Sequence, residues 1–276
     1  MTETPFDRVH HLVVVPVAVD GVGPSRFVLD TGIGLTLLSK SLCDAIGCEA
    51  TGASFTGKRM SGQEVTVPLV DAPPLSLAGV EPRDDVVGVL DTSGFSAELA
   101  NIDGFLSLAF FAETAFTVDY AHSHVIVESP ATLDERVRSG TVVPVRIERE
   151  GPSVDAFLRL DIPSGRTIEV EIDMGSDSLI LSESLAPEVG VDLADPDVRG
   201  VEGTDETGHR YTRYFTELSG VVRVTDAPAV AQPHPEVMFQ RIIYNGLVGD
   251  AFLRRFTVTY DVSRERVIFC DAPRAV

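Results

Sequence analysis

Apolar residues in this chain come in short runs, and the runs are broken by turn formers. Val- and Thr-rich stretches of four to eight residues alternate with Gly, Pro and Asp, the pattern of a β-rich protein. Residues 11–19 and 142–147 are predicted as opening strands, and 27–30 and 168–173 as strands that each end on an acid, Asp30 and Asp173. Residues 64–70 begin with a polar/apolar alternation of period two, and Pro68 then marks an edge strand or a strand end. Ser39 and Ser182 are fitting N-caps for short helical stretches at 40–46 and 183–189, closed by Gly47 and Gly190. Hairpins are expected at 56–63, turning at Ser61-Gly62 beside Met60, and at 204–211, turning at Thr207-Gly208 before Tyr211. No pattern predicts a long helix.

The two acids sit in copies of one segment. Residues 30–47 and 173–190 share Asp, Gly, Leu, Ser, Ser, Leu and Gly without a gap. Four more pairs of segments fall in the same order in both halves: 14–17 with 142–145, 104–106 with 246–248, 116–120 with 256–260, and 125–127 with 267–269. The offset from the first Asp segment onward stays near the 143 that separates Asp30 from Asp173. The lower offset of the first pair predicts about 15 extra residues before Asp173, near 151–165. The repeat is half the chain, so it predicts two related lobes, 1–138 and 139–276, joined near 129–141. A pseudo-two-fold axis between such lobes can bring the equivalent carboxylates face to face.

Composition narrows the picture. The net charge of −20 argues against nucleic acid or an anionic membrane as a partner. No apolar run approaches a membrane span, and Glu3, Asp7, Pro16 and Asp20 interrupt what would be a signal peptide, so a cytoplasmic location is expected. Cys43, Cys48 and Cys270 have no metal-ligand spacing and are expected to be reduced. His10-His11 and the pair His122 and His124 are expected at strand starts or on a solvated face, and Gly21-Val22-Gly23 is a turn. No metal or organic cofactor is expected.

An apolar strand, Asp30-Thr31-Gly32, an apolar stretch, a short helix and a later apolar-Gly segment resemble the retropepsin and pepsin group of aspartic proteases. The resemblance implies an all-β fold of two pseudo-two-fold-related acid-protease-type β-barrel lobes with short helices. It implies that Asp30 and Asp173 are a catalytic dyad sharing one proton, because two carboxylates about 3 Å apart cannot both ionise cheaply. Gly32 and Gly175 would allow close backbone approach, and Thr31 would clasp the opposite loop. Ser176 would donate to the outer oxygen of Asp173. The two hairpins, with Met60, Ser61, Gly62, Thr207, Gly208 and Tyr211, would serve as flaps.

The copies also depart from the family pattern. Met174 stands where a second Thr belongs, so half of the reciprocal clasp is expected to be missing. Ile33 replaces a small residue, and Ser107 stands where Gly is common. The expected activity is hydrolysis of peptide bonds by a monomer with a peptide in the interlobe cleft. The alternative is a non-proteolytic descendant that binds a peptide or small molecule, or performs acid/base chemistry on a biosynthetic intermediate.

Overall fold

A computed structural model of the chain describes residues 2–81, 86–97, 99–205 and 208–271. The molecule is all-β and two-lobed, with three sheets and a few short helices. The nine-stranded sheet of the first lobe runs, in order, Asp7–Val9, Leu12–Val19, Gly23–Leu29, Gly104–Leu106, Leu37–Ser39, Val86–Leu90, Glu64–Asp71 and Ala50–Lys58, with Leu75–Ser76 beside Leu12–Val19. The ten-stranded sheet of the second repeats that order: Arg146–Glu150, Ser153–Asp161, Thr167–Ile172, Gly246–Val248, Leu179–Ser182, Glu236–Gln240, Arg210–Glu217 and Arg199–Thr204. Even the added strand has its counterpart, Val221–Val224 beside Ser153–Asp161, and the tenth strand, Ala227–Pro233, pairs with Val221–Val224.

A six-stranded sheet joins the lobes. Its order is Thr2–Pro5, His124–Val127, Phe116–Asp119, Phe256–Asp261, Arg266–Asp271, Thr141–Pro144. At its centre Val118 pairs with Val258, its own repeat mate, so the pseudo-two-fold axis passes between them. One apolar core runs through this sheet and holds residues from both lobes, including Phe27, Leu106, Phe116, Leu158, Ile172 and Tyr260. That continuity fixes one lobe against the other.

Three local expectations need correction. The segment Thr141–Pro144 is not the counterpart of Leu12–Val19; it pairs with Arg266–Asp271 at the edge of the joining sheet, as Thr2–Pro5 pairs with His124–Val127. The true counterpart is Ser153–Asp161, where Phe157 opposes Glu171 as Val14 opposes Val28. Its offset is 157 − 14 = 143, the same as between the two Asp residues, so no 15-residue insert precedes Asp173. A Val-Val-Pro-Val run fits any half-buried strand, and only the pairing partner decides which strand it is. Pro68 lies within an internal strand that pairs on both sides; it sits beside a register shift in the neighbouring strand between Ala50 and Ser54. The expected linker contains a ten-residue helix, Pro130–Ser139, closed by a Ser129/Thr132 capping box. Arg136 of that helix reaches buried Glu128 at 3.0 Å, and Thr117 donates to the same carboxylate at 2.6 Å. Among the described residues no helix is long and apolar enough to cross a membrane.

Candidate active site

Each acidic loop is positioned by a strand that ends under it. Leu106 accepts from the Asp30 N–H at 2.9 Å, and Val248 accepts from the Asp173 N–H at 3.0 Å. These are the ends of the parallel neighbours Gly104–Leu106 and Gly246–Val248. Leu29 and Ile172, one residue before each Asp, are completely buried and anchor both strands in the common core. The carboxyls then project towards each other across the axis.

The approach is tight and reciprocal. A Cβ on Gly32 would lie 2.5 Å from Cγ of Asp173, and a Cβ on Gly175 would lie 2.5 Å from Oδ2 of Asp30. Within each loop a backbone N–H holds its own carboxylate: Gly32 donates to Asp30 Oδ1 at 3.0 Å, and Gly175 to Asp173 Oδ1 at 2.8 Å. Burial pushes the Asp30 carboxyl well above the ordinary carboxylate range, and the neighbouring Asp173 charge and a hydrogen bond shared with Asp173 push the same way.

The second loop supplies one more donor than the first. Ser176 donates from its hydroxyl to Asp173 Oδ2 at 2.6 Å. Ile33, at the equivalent place in the first loop, instead packs against the apolar cluster around Val28 and Phe105. Asp173 therefore accepts one hydrogen bond more than Asp30.

The clasp between the loops is one-sided. Thr31, fully buried, donates to the Ile172 carbonyl at 2.7 Å and accepts from the Met174 N–H at 2.9 Å. Met174 is 2% exposed and its side chain joins the apolar core. One threonine thus does the cross-linking that two could share. Thr31→Val keeps the shape but strands a buried carbonyl and a buried N–H, each worth about 1–3 kcal/mol. The urea midpoint should fall by the equivalent of about 2 kcal/mol or more with an unchanged slope. A midpoint within error of the parent contradicts this assignment of the clasp.

The remaining departures have local explanations. Ser107 is buried, bonds Thr36 Oγ1 at 3.2 Å and accepts from the Ala109 N–H, so its hydroxyl caps the following turn. Gly249 has no such room: a Cβ there would lie 2.5 Å from the Ser176 carbonyl.

The tip of the first hairpin reaches the opposite lobe and the second hairpin. Lys58 pairs with Glu64 across the first turn and Thr204 with Arg210 across the second. Met60 packs against Ile180, Met238 and Leu247 of the opposite lobe, and its carbonyl accepts from the Ile243 N–H at 2.8 Å. Ser61 accepts from the Gln63 N–H at 3.4 Å, and Gly62 lies against Ile243 with a positive φ of 83° that suits a glycine turn. Arg59 of the first tip forms an ion pair with Asp205 of the second at 3.1 Å. Gly208 also has a positive φ, and Tyr211 stacks under Arg213 on the hairpin face shared with Phe215. Thr207 lies outside the described residues.

Other candidates lie elsewhere. His122 is exposed and bonded to Asp119, and the three cysteines are unpaired. Among the described residues no group of three or more His, Cys, Asp and Glu side chains has a metal-holding arrangement.

Some residues at the site do not stand out in the sequence. His11 Nε2, in the turn before Leu12–Val19, lies 2.9 Å from the Gly175 carbonyl, and Val154 donates to the Gly34 carbonyl at 3.1 Å, so each lobe braces the other's loop. Glu171, two residues before Asp173, is 4% exposed. Asp155 lies beside Gly34, and burial pushes its carboxyl up to about 6 against the pull of the Ser153 hydroxyl. The signal for Glu171 is present in the repeat register, where its mate is Val28.

Residues 15–110, the stretch that holds Asp30, match the family model described as aspartyl protease. The crystal structure of edgp superposes with a TM-score of 0.57 over 98% of this chain and 94% of that one, at 12% identity. This chain has the retropepsin and pepsin fold. A search of curated protein sequences found no match. The matched stretch ends within the first lobe; the second is tied to the retropepsin-like fold by its strand order.

Proposed function

We propose that the protein is an aspartic endopeptidase in which Asp30 and Asp173 share one proton and activate a water. The observation that carries this is the opposed pair of carboxyls, each packed against the glycine of the other loop. Asp173, with two donors on its oxygens, is the base, and half-buried Asp30 holds the proton. Water lying between them loses a proton to Asp173 as its oxygen adds to the scissile carbonyl carbon. Asp30 gives its proton to the carbonyl oxygen. The tetrahedral diol then collapses, the amide nitrogen takes a proton from the pair, and the C–N bond breaks.

The substrate in this reading is an extended peptide lying between the sheet faces and the two hairpins, which exclude bulk water once closed. One chain supplies both carboxyls, so no second copy is needed.

The rate should follow a bell-shaped pH profile. It falls at low pH as the pair takes up a second proton, and at high pH as the shared proton is lost. Because Asp30 is raised, the alkaline limb should lie well above the ordinary carboxylate value of 3.8. Peptide-library hydrolysis across pH, with and without a chelator, measures this. A profile without a carboxylate limb, or loss of activity on chelation, would contradict the proposal.

A further inference from the structure

The cleft faces of the two lobes are equivalent in fold and opposite in chemistry. In the first lobe, Val28 sits among Val14, Leu37 and Phe105, an apolar surface. In the second, the position of Val28 is taken by Glu171, flanked by Phe157 and Leu247 in place of Val14 and Phe105. Strand alternation fixes its direction: Ile168, Val170 and Ile172 enter the common core, so Glu171 faces the other way, towards the cleft. Leu247 on that same face touches the cluster that receives Met60 from the first hairpin.

Glu171 is more than nine-tenths buried, yet among the described residues its carboxyl makes no hydrogen bond and no ion pair. After burial itself, the groups acting on it most strongly are all acids, Asp173, Asp155, Asp30 and Glu148, and together they hold its carboxyl well above the usual range. Arg146, on the strand beyond Phe157, is already engaged. It binds Glu169 through Nε and Nη2, and Glu148 through Nη1 at 2.6 Å, and its guanidinium lies over Phe157. Its oxygens are not sealed off from solvent, so the carboxyl of Glu171 lacks a protein partner yet stays open to a cation entering the cleft, where the low dielectric strengthens the pairing. The acids do not converge in a metal-holding group, so the complement is an organic cation on a flexible stem.

We propose that Glu171, backed by Asp155 and Glu148, is the floor of a substrate side-chain subsite that takes a lysine or arginine of the peptide beside the bond being cut. The proposal rests on the peptidase reading above. The stem of the substrate side chain packs along Leu247 and Phe157, and the charged head meets Glu171. On the other side of the dyad the equivalent subsite, floored by Val28, takes an apolar side chain. The duplicated fold thereby reads two different residues across one peptide bond.

Two measurements test this and separate its failure from that of the peptidase reading. The first is cleavage-site mapping by mass spectrometry on a mixed peptide library with the full chain and with Glu171→Val, which installs the repeat mate's residue. Cuts should be enriched next to Lys and Arg by about tenfold, and the variant should lose that enrichment while still cutting. The second is calorimetric binding of non-cleavable reduced-amide peptides carrying Lys or norleucine at each position flanking the isostere. The full chain should prefer Lys at one position by about tenfold, and Glu171→Val should erase the preference.

Cleavage without basic enrichment, or enrichment unchanged in Glu171→Val, overturns the subsite and leaves the peptidase standing. No cleavage of any peptide, together with a Lys preference that Glu171→Val erases, sinks the peptidase and keeps the subsite. Equal binding of the Lys and norleucine peptides overturns the subsite whatever the cleavage result. Thermal unfolding of Glu171→Val checks folding; replacing an unpartnered buried carboxyl with an apolar group should leave the midpoint unchanged or raised. If that variant fails to fold, Glu171→Gln, nearly identical in shape, must lose the same preference.

Discussion

Asp173→Asn is expected to lower peptide hydrolysis by about a thousandfold or more, and Asp30→Asn by a similar factor. The substitution exchanges one oxygen for an amide nitrogen and leaves the volume almost unchanged. An asparagine at position 173 could still accept from the Gly175 N–H or the Ser176 hydroxyl through its remaining oxygen, so the loop should keep its shape. What it loses is the ability to take a proton from water. At Asp30 the loss is the proton given to the carbonyl oxygen. The two roles belong to one step, so the double variant should be little worse than either single one. Each variant should unfold at or above the parent temperature, because one of two ionisable groups that crowd a half-buried site has been removed. Steady-state rates on a peptide mixture, with calorimetric unfolding alongside, give the answer. If either single variant retains activity within tenfold of the parent, the dyad is not the engine.

The second large effect is steric. Gly32→Ala places a methyl 2.5 Å from Cγ of Asp173 and 2.9 Å from its Cβ. Asp173 is held by the Gly175 N–H and the Ser176 hydroxyl, so it cannot swing away without breaking one of them. Gly175→Ala does the same to Asp30, with contacts of 2.5 and 2.7 Å. Ordinary carbon contacts are about 3.5 Å, so one carboxyl must shift by about 1 Å, which is enough to cost about a hundredfold in rate. Overpacking should also lower stability by about 1–3 kcal/mol. Gly94→Ala is the control, since a Cβ there meets nothing within 4 Å. Alanine variants at 32 and 175 as active as the one at 94 would show that the loops are looser than their geometry implies.

The Asp loops are legible in the sequence because they are local and duplicated. Asp30 and Asp173 each close an apolar strand, and the shared Leu and Gly positions after them code for the same strand and stop, whereas the expected cap forms at Ser39, which accepts from the Leu42 N–H, and not at Ser182. The capped stretch after Ser39 is a helix, Lys40–Ile46, whereas Pro187 divides its counterpart into two 3-10 turns. Strand pairing is less legible. Val142 and Val143 resemble Val14 and Val15 in composition, yet they pair with strands from different sheets, and nothing local records the partner. Pro68 misleads for the same reason, because a neighbour's register shift cannot be seen from its own strand.

At the site, the sequence indicates the one-sided clasp through Met174, and the two hydrogen bonds at Thr31 account for why one side suffices. It does not indicate how the hairpins meet, since the Arg59–Asp205 pair joins residues from different lobes. In sequence, Glu171 is one polar residue in an alternating strand. Only the pairing of Glu171 with Leu247 and Phe157, beside the dyad, gives that position its meaning.

Carboxyls contributed by the two halves of the chain should titrate as one pair. Carbon-13 NMR titration of the Asp30 carboxyl, in the parent and in Asp173→Asn, tests it most directly. The Asp30 midpoint should lie well above 3.8 in the parent and fall clearly once Asp173 is neutral. An Asp30 midpoint in the ordinary carboxylate range, unmoved by Asp173→Asn, would contradict it.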